Sequence, residues 1–210
     1  MKKLVFAAVV LLGLVAQATE YHVPEVPKGR YTIKASAAKK GHVLFVNVGQ
    51  AISAKDWTLA TSYVGGLFQV NLWTNQIDKI DVGELLKGKC PFGGKSKVCV
   101  FLVNDPNALT YLASPGKWSV INVAPFLKGV ADKQTYRDRT AKLLLKGLAY
   151  AAGCGASMEG RCALSVGGFD AEGIDKTNIT ITPMTYFPML EMLRKVGGDE
   201  LLDVCEPEEE

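Results

Sequence analysis

The stretch KLLLKGLAYAAGCG, residues 142–155, has the spacing of a buried helix and two residues that do not suit one. Its leucines and alanines recur at i, i+3, i+4 and i+7, which predicts a broad apolar face. Lys146 and Gly147 stand in the middle of this pattern. A glycine in a helix interior costs about 1 kcal/mol relative to alanine, and a lysine among leucines must reach water or a partner. Apolar packing alone therefore does not explain the centre of this helix.

The segments around this helix predict an α/β layer arrangement. The helix should run from about Asp132 to Gly153, where glycines end it. Upstream, strand-like segments alternate with helical ones, as in α/β folds. Downstream, the acidic residues of 170–175 are expected in one hydrated loop, and a last helix should follow Pro183 and be perturbed at Pro188. The expected strands are RYTIKAS, HVLFVNVG, QVNLWT, KVCVFLVND and KWSVINVAPF. The expected upstream helix is SAKDWTLATSYVGGLF, and DVGELLKG is expected to form a short helix or a turn.

Residues 1–18 are typical of a secretory signal peptide. They combine the positive start MKK, the apolar run LVFAAVVLLGLV and the small-residue site AQA. This is the pattern of a cleaved leader, and it is too short for a membrane span. We therefore expect an exported protein, periplasmic or secreted, with no membrane span in the mature chain. A signal anchor that is never cleaved is the alternative.

The charge of the chain gives no sign of a nucleic-acid partner. The sequence has 24 basic and 21 acidic residues, and loss of Lys2 and Lys3 with the leader brings the two closer to balance. Nucleic-acid binding requires a concentrated basic patch, and we expect no nucleic-acid partner. The last residues, CEPEEE, form an acidic tail that is expected to be solvated.

All five cysteines lie beyond the leader, where an oxidising compartment favours disulfides. The odd number suggests two disulfides and one leftover thiol. Proximity favours a bond between Cys90 and Cys99, and it pairs Cys154 with Cys162 or Cys205. The sequence does not fix this connectivity. The spacings are not CxxC, so they do not support a thioredoxin-like redox role.

The order of elements resembles that of the metzincin-like zincins, and within them the archaemetzincins. These proteins combine a mixed twisted sheet and packed helices with a long metal-binding helix, a methionine turn and a small C-terminal helical subdomain. Their signature is H-E-x-x-H-x-x-G-x-x-H, followed by C-x4-C-x-M and later by C-x2-C. Two histidines one helical turn apart bind zinc with a third beyond the glycine, and the glutamate polarises the zinc-bound water. The resemblance covers about residues 41–196 and implies a zincin-like fold.

The signature can be laid on this sequence by placing the family glycine on Gly153. Lys146 and Tyr150 then take the first two histidine positions, and Gly147 takes the glutamate position. Gly153 and Cys162 match the signature, so the resemblance is to a degenerate form whose metal-binding motif is lost. The third histidine position falls on Ala156. The methionine position falls on Leu164, and Met184 is a candidate for a substitute turn methionine. The four cysteine positions of a former structural-metal site fall on Ser157, Cys162, Thr182 and Thr185.

The donors of a catalytic zinc site are missing, whatever the family. The chain has two histidines, His22 and His42, and both lie far upstream of the long helix. A three-histidine zinc site is therefore impossible within one chain. Near neutral pH Lys146 is an ammonium with no lone pair for a metal, and Gly147 has no carboxylate to act as a base. We expect no metal, no other cofactor and no catalytic residue of the zincin type.

Lys146 has two interpretations. In the first, Lys142 and Lys146 extend along the wet side of the helix and the Tyr150 hydroxyl lies at its rim. We favour this interpretation, because such stripes are usually solvated faces. In the second, the Lys146 ammonium occupies the former metal position, held by a carboxylate or by Tyr150, and the cleft persists as a binding groove.

These observations favour one function over two others. The leading hypothesis is an exported, catalytically inactive metalloprotease-like protein, a pseudoprotease, that binds a peptide or protein in the former active-site cleft. The alternative is a structural or scaffold protein of the cell envelope whose cleft has collapsed. A less favoured hypothesis is a hydrolase with an unrecognised non-zinc site that uses Lys146 or a serine as nucleophile.

The same observations divide the chain into three parts. We expect a signal peptide over residues 1–18, a single zincin-like domain over 19–204 and an acidic tail over 205–210. Within the domain, the sheet-rich part should cover residues 30–130 and the helical part residues 131–198.

Overall fold

The computed structural model describes residues 34–35, 43–68, 72–92, 98–108 and 110–197. The expected signal peptide, both histidines, Cys205 and the acidic tail lie outside these residues. Within them, no helix combines the length and the apolar character needed to cross a bilayer.

The described strands form one mixed sheet in the order β1-β3-β2-β4-β6-β5. The first five strands in this order, β1, β3, β2, β4 and β6, are parallel to their neighbours. Strand β5 lies at one edge and runs antiparallel to β6. This mixed sheet with helices packed on it confirms the expected α/β zincin-like class. The strands are β1 (Lys34–Ala35), β2 (Val43–Val48), β3 (Trp73–Ile77), β4 (Val98–Val103), β5 (Tyr111–Ser114) and β6 (Trp118–Asn122).

The centre of the sheet is buried on both faces. Strands β2 and β4 are almost continuously apolar, as expected for parallel strands covered by layers on either side. Because side chains alternate along a strand, Phe45 and Val100 belong to one apolar layer, whereas Val46 and Phe101 belong to the other. The larger layer lies on the Phe45 side.

Most of the helices pack on the larger layer. There α1 and α4 lie against each other and α4 lies on β4 and β6, whereas Leu85 of α2 packs on the opposite face. The helices are α1 (Ala54–Phe68), α2 (Val82–Leu86), α3 (Ala124–Leu127), α4 (Lys133–Ala151), α5 (Ala171–Lys176) and α6 (Pro183–Gly197).

Helix α4 begins and ends where the sequence predicts. The Asp132 carboxylate accepts a hydrogen bond from the Thr135 backbone N–H at 2.7 Å and caps the first turn. At the other end Gly153 has φ +81°, the left-handed conformation that glycine adopts most readily after a helix. The expected helix from about Asp132 to Gly153 is confirmed.

The C-terminal part packs against α4. A two-residue bridge joins Ser157 to Ser165 in the irregular stretch that follows α4. Helix α5 is tied to α4 by the Arg139–Asp175 ion pair, with Nη2–Oδ2 at 2.5 Å. Helix α6 contains Pro188, as expected, and buries Met189 completely.

Three elements of the structure differ from what the sequence analysis expects. Strand β5 was not predicted, because four half-exposed residues beside a turn carry little periodicity. The segment KWSVINVAPF ends in a short helix, α3, rather than continuing as a strand. Strand β3 begins at Trp73, within the expected segment QVNLWT, whose residues 69–71 lie outside the described part of the chain. The acidic residues of 170–175 form α5 rather than a loop, since Asp170 caps that helix by accepting from the Gly173 N–H.

Candidate functional site

Gly147 lies where helix α4 comes closest to the sheet. A Cβ atom added to Gly147 would lie 2.6 Å from Val100 Cγ1 and 3.1 Å from Ile121 Cγ1. The Ser119 hydroxyl donates a hydrogen bond to the Gly147 carbonyl at 2.7 Å. A side chain at this position would therefore push the helix off strands β4 and β6. The glycine in the helix centre is explained by this close approach.

Lys142 is buried and hydrogen-bonded to two backbone carbonyls. Its ammonium donates hydrogen bonds to the Ile174 carbonyl at 2.9 Å and to the Thr177 carbonyl at 2.6 Å. These carbonyls lie at the C-terminal end of α5, where a cation also complements the helix dipole. Burial lowers the pKa of Lys142 from its ordinary value. The expectation that Lys142 extends into solvent is wrong.

Lys146 is buried more deeply and has no such partners. Its side chain is 3% exposed, and within the described residues no atom hydrogen-bonds to its Nζ. The Nζ atom lies 5.1 Å from the centre of the Phe169 ring, a cation–π distance. Burial lowers the pKa of Lys146 to about 8; the Cys162 thiol opposes this shift and the Lys142 charge adds to it.

Tyr150 lies one turn after Lys146, and its hydroxyl is also buried. The described residues provide no hydrogen-bond partner for this hydroxyl, and its burial raises the pKa of Tyr150 to about 12. The Tyr150 ring stacks on Tyr111 of β5 at 4.6 Å between ring centres. Tyr111 in turn contacts Phe169 at 5.7 Å.

Two rings therefore separate the buried polar groups from solvent. We call Tyr111 and Phe169 the aromatic cover. Tyr111 is 43% exposed and Phe169 is 36% exposed, whereas Tyr150 beneath them is 7% exposed. The cover closes the face of α4 that the resemblance assigns to the metal.

Both interpretations of Lys146 and its neighbours on the same helix face need correction. The favoured one was wrong, because Lys142, Lys146 and Tyr150 all point into the protein rather than along a wet side. The second predicted burial correctly but named the wrong partners. In the part of the chain that the structure describes, neither a carboxylate nor the Tyr150 hydroxyl bonds to Lys146.

The remaining positions of the signature lie on the C-terminal side of this site. Ala156 is exposed, Ser157 is half-buried and Cys162 is buried. The Thr182 and Thr185 hydroxyls lie 3.4 Å apart and are buried. The register that assigns these positions to a former metal site stays a prediction.

The two methionine candidates differ in burial. Leu164, at the family methionine position, is completely buried, whereas Met184 is 85% exposed. Met184 therefore does not lie beneath the Lys146 site, and its assignment as a substitute turn methionine was wrong.

The cysteines are not joined by disulfides in the described residues. The sulfur atoms of Cys90 and Cys99 lie 3.7 Å apart, which is a hydrogen-bond distance rather than a covalent bond. Cys154 and Cys162 are free thiols. The structure thus brings Cys90 and Cys99 together as proximity suggests, and the disulfide between them stays a prediction.

Solved archaemetzincin structures share this architecture. The structure of an archaemetzincin from Methanopyrus kandleri superposes with a TM-score of 0.59 at 16% identity, over 78% of this chain and 99% of its own. An archaemetzincin from Archaeoglobus fulgidus, complexed with malonate, gives 0.54 at 10% identity. A zinc-dependent peptidase from Methanocorpusculum labreanum gives 0.55 at 12% identity. The latter two matches each cover 70% of this chain and 99% of the other.

The chain has the archaemetzincin fold. This likeness comes from structure, since no family model matches the sequence and no curated protein matches it significantly.

The residues at the centre of this archaemetzincin fold do not suit zinc. Protein ligands of zinc are cysteine thiolates, imidazoles and carboxylates. The buried face of α4 instead presents an amine at Lys146, a hydrogen at Gly147 and a phenol at Tyr150. Among the described residues, no three histidines, cysteines, aspartates or glutamates come close enough together to hold a metal ion.

The aromatic cover is the feature that the sequence did not reveal. Tyr111 precedes α4 by about twenty residues, and Phe169 follows it by about twenty. Each stands in a short segment with no helical or strand periodicity to orient it. Their meeting over Lys146 depends on the tertiary packing of β5 and the loop before α5 against α4.

Proposed function

We propose that this protein is an exported, catalytically inactive metalloprotease-like protein, a pseudoprotease, that binds a peptide along β5. The observation that carries the proposal is the buried Lys146 amine on the helix face where the resemblance places zinc. An amine and a phenol in this position favour binding over metal-dependent hydrolysis. Gly147, at the position of the catalytic glutamate, has no group that could activate water.

The edge of the described sheet supports the peptide-binding part of the proposal. The Thr110 carbonyl accepts a hydrogen bond from the Asn122 N–H. In an antiparallel pair, every second residue directs its N–H and C=O groups away from the neighbouring strand. The backbone groups of Tyr111 and Ala113 therefore point away from β6. Outward N–H and C=O groups of an edge strand can pair with an extended peptide. Tyr111 and Phe169 offer exposed aromatic surface beside that edge.

Two measurements on the purified mature protein test this proposal. Elemental analysis should find substoichiometric zinc, and the protein should leave a fluorogenic peptide library uncleaved. Fluorescence anisotropy should show saturable binding of extended peptides from the same library. One zinc per chain together with peptide cleavage would contradict the inactive assignment.

A variant with an altered edge makes the binding test specific. Ala113→Pro removes an outward N–H from β5 and should weaken peptide binding, whereas Leu112→Val leaves the outward backbone groups in place and should not. Equal affinities for the two variants would place the peptide elsewhere or show that the binding is non-specific. Circular dichroism of both variants controls for loss of fold.

A scaffold role is the second candidate, and one observation favours it. The aromatic cover closes the face that a cleft would expose. A scaffold with a collapsed cleft predicts that no peptide binds β5, while zinc is also absent. The partner on either proposal is a peptide or protein rather than a nucleic acid, given the near-balanced charge.

The location and the third function remain open to direct tests. Export to the periplasm or medium rests on the leader sequence, and cell fractionation with N-terminal sequencing would test cleavage after Ala18. A hydrolase that uses Lys146 or a serine would cleave model substrates in the presence of a chelator. Burial of Lys146 without a neighbouring base gives that hypothesis little support.

A further inference from the structure

Two buried polar atoms on α4 have no protein partner within the described residues. These are Lys146 Nζ and Tyr150 Oη, which belong to side chains only 3% and 7% exposed. Residues four apart in a helix share one face, so the amine and the phenol lie on neighbouring turns of the same surface. Buried polar groups are almost always hydrogen-bonded to protein, water or ligand.

The chemistry of this pair selects an anion. A protonated lysine offers three hydrogens and no acceptor, and a phenol offers one more hydrogen. Burial is the main cause of the lowered pKa of Lys146, and no carboxylate is among the causes. Within the described residues the ammonium therefore has no anionic counterpart. A carboxylate, with two oxygens and one negative charge, can accept from both donors.

The aromatic cover controls access to these donors. Phe169 lies directly over Lys146, and Tyr111 lies directly over Tyr150. Phe169 is partly exposed and follows Gly167 and Gly168, two residues that adopt a wider range of backbone dihedral angles than others do. Tyr111 belongs to the edge strand itself, so Tyr150 is separated by one ring from the strand proposed to pair with a peptide.

We propose that Lys146 and Tyr150 bind a carboxylate of the peptide that lies on β5, after Phe169 turns away from Lys146. This inference rests on the proposed function for the peptide, while the preference for a carboxylate rests on the two donors. The carboxylate comes from the C-terminus of the peptide or from an acidic side chain within it. Either source gives the ammonium the counter-charge that the described protein residues do not provide.

Three matched peptides distinguish these sources. The probes are acetyl-tetra-alanine with a free C-terminus, the same peptide as its C-terminal amide, and acetyl-Ala-Asp-Ala-Ala-amide. Isothermal titration calorimetry should give the free acid or the aspartate peptide about tenfold higher affinity than the uncharged amide, the size of one charge-assisted hydrogen bond. Whichever charged peptide is preferred identifies the source.

Variants assign the preference to the two donors. Lys146→Met should abolish the preference for the charged peptides over the amide peptide. Tyr150→Phe keeps the ring stacked on Tyr111 and should reduce the preference by a smaller factor. Lys142→Met is the matched control, since its amine is engaged with Ile174 and Thr177, and the preference should survive that change.

The outcomes separate this inference from the proposed function. If all three peptides bind equally well, the peptide-binding proposal stands and the carboxylate inference is overturned. If none of the peptides binds, the peptide-binding proposal fails. A comparison of acetate with acetamide as ligands then tests whether Lys146 and Tyr150 bind a carboxylate by themselves. Acetate should then shift the NMR signal of the ¹³Cε atom of Lys146 where acetamide does not, and no shift would overturn the inference.

Discussion

Helix α4 buries two lysines four residues apart, and only one of them finds hydrogen-bond acceptors among the described residues. Lys142 meets two backbone carbonyls at the end of α5. Lys146 meets an aromatic ring and, within the described residues, no hydrogen-bond acceptor. A buried cation stabilises a fold only when hydrogen bonds and charge replace its lost hydration. We therefore expect Lys142 to contribute to the stability of the fold and Lys146 to reduce it.

The largest expected effect is a gain of stability on removing the unpartnered charge. A pKa of about 8 in place of 10.5 corresponds to a penalty of about 3 kcal/mol, at 1.4 kcal/mol per unit. Lys146→Met should therefore raise the free energy of unfolding at pH 7 by about 2–3 kcal/mol, since methionine retains contact with the Phe169 ring. Urea denaturation measures this, and an unchanged or lower midpoint would mean that Lys146 is paired.

The pH dependence of that gain sharpens the comparison. Below about pH 8 the lysine is charged in both folded and unfolded states, so the full penalty applies. Between pH 8 and 10.5 the folded state loses the proton while the unfolded state keeps it, and the stability of the wild-type protein rises relative to Lys146→Met. The difference between the two proteins should shrink across this window. A difference that stays constant from pH 7 to 10 would contradict the lowered pKa.

Lys142→Met should have the opposite sign. It removes two hydrogen bonds from a charged donor and leaves the Thr177 carbonyl without that partner. Relief of the buried charge offsets part of the loss, so we expect destabilisation of about 2 kcal/mol. The same denaturation experiment serves both lysines, and each variant is the control for the other. Two stabilising substitutions would show that the carbonyls at the end of α5 do not matter.

The contrast between the two lysines also marks the limit of sequence reasoning. The length and ends of α4 follow from its apolar period, Asp132 and Gly153, because caps and periodicity are local properties. The burial of Lys146 and Tyr150 could not be predicted from the sequence, since it depends on β5 and the loop before α5, which cover that face of α4. The wet-side expectation failed because a lysine every fourth residue looks the same whether the covering segment is present or absent.

The glycine beside Lys146 offers a smaller effect with a clear control. Gly147→Ala adds a methyl group 2.6 Å from Val100 Cγ1. Overpacking of this kind costs about 1–3 kcal/mol, and the higher helix propensity of alanine returns about 1 kcal/mol. A net loss of about 1 kcal/mol in thermal or urea unfolding is therefore expected. Gly155→Ala, where an added Cβ meets nothing within 4 Å, should be close to neutral, and equal losses at both glycines would rule out the close approach as the cause.

The smallest expected effect on stability concerns Tyr150, whose buried hydroxyl lacks a partner among the described residues, as the Lys146 amine does. Tyr150→Phe removes a buried hydroxyl that has no partner among the described residues and keeps the stack on Tyr111. Stability should rise by about 1 kcal/mol, because an unsatisfied buried hydroxyl carries a desolvation penalty. If Tyr150 also binds a carboxylate, the same substitution should weaken the preference for charged peptides. A stability gain without a loss of that preference would leave Lys146 as the anion donor and assign Tyr150 to packing. A loss of stability together with a loss of that preference would mean that the Tyr150 hydroxyl already has a hydrogen-bond partner in the folded protein. Tyr150 would then differ from Lys146 in this respect.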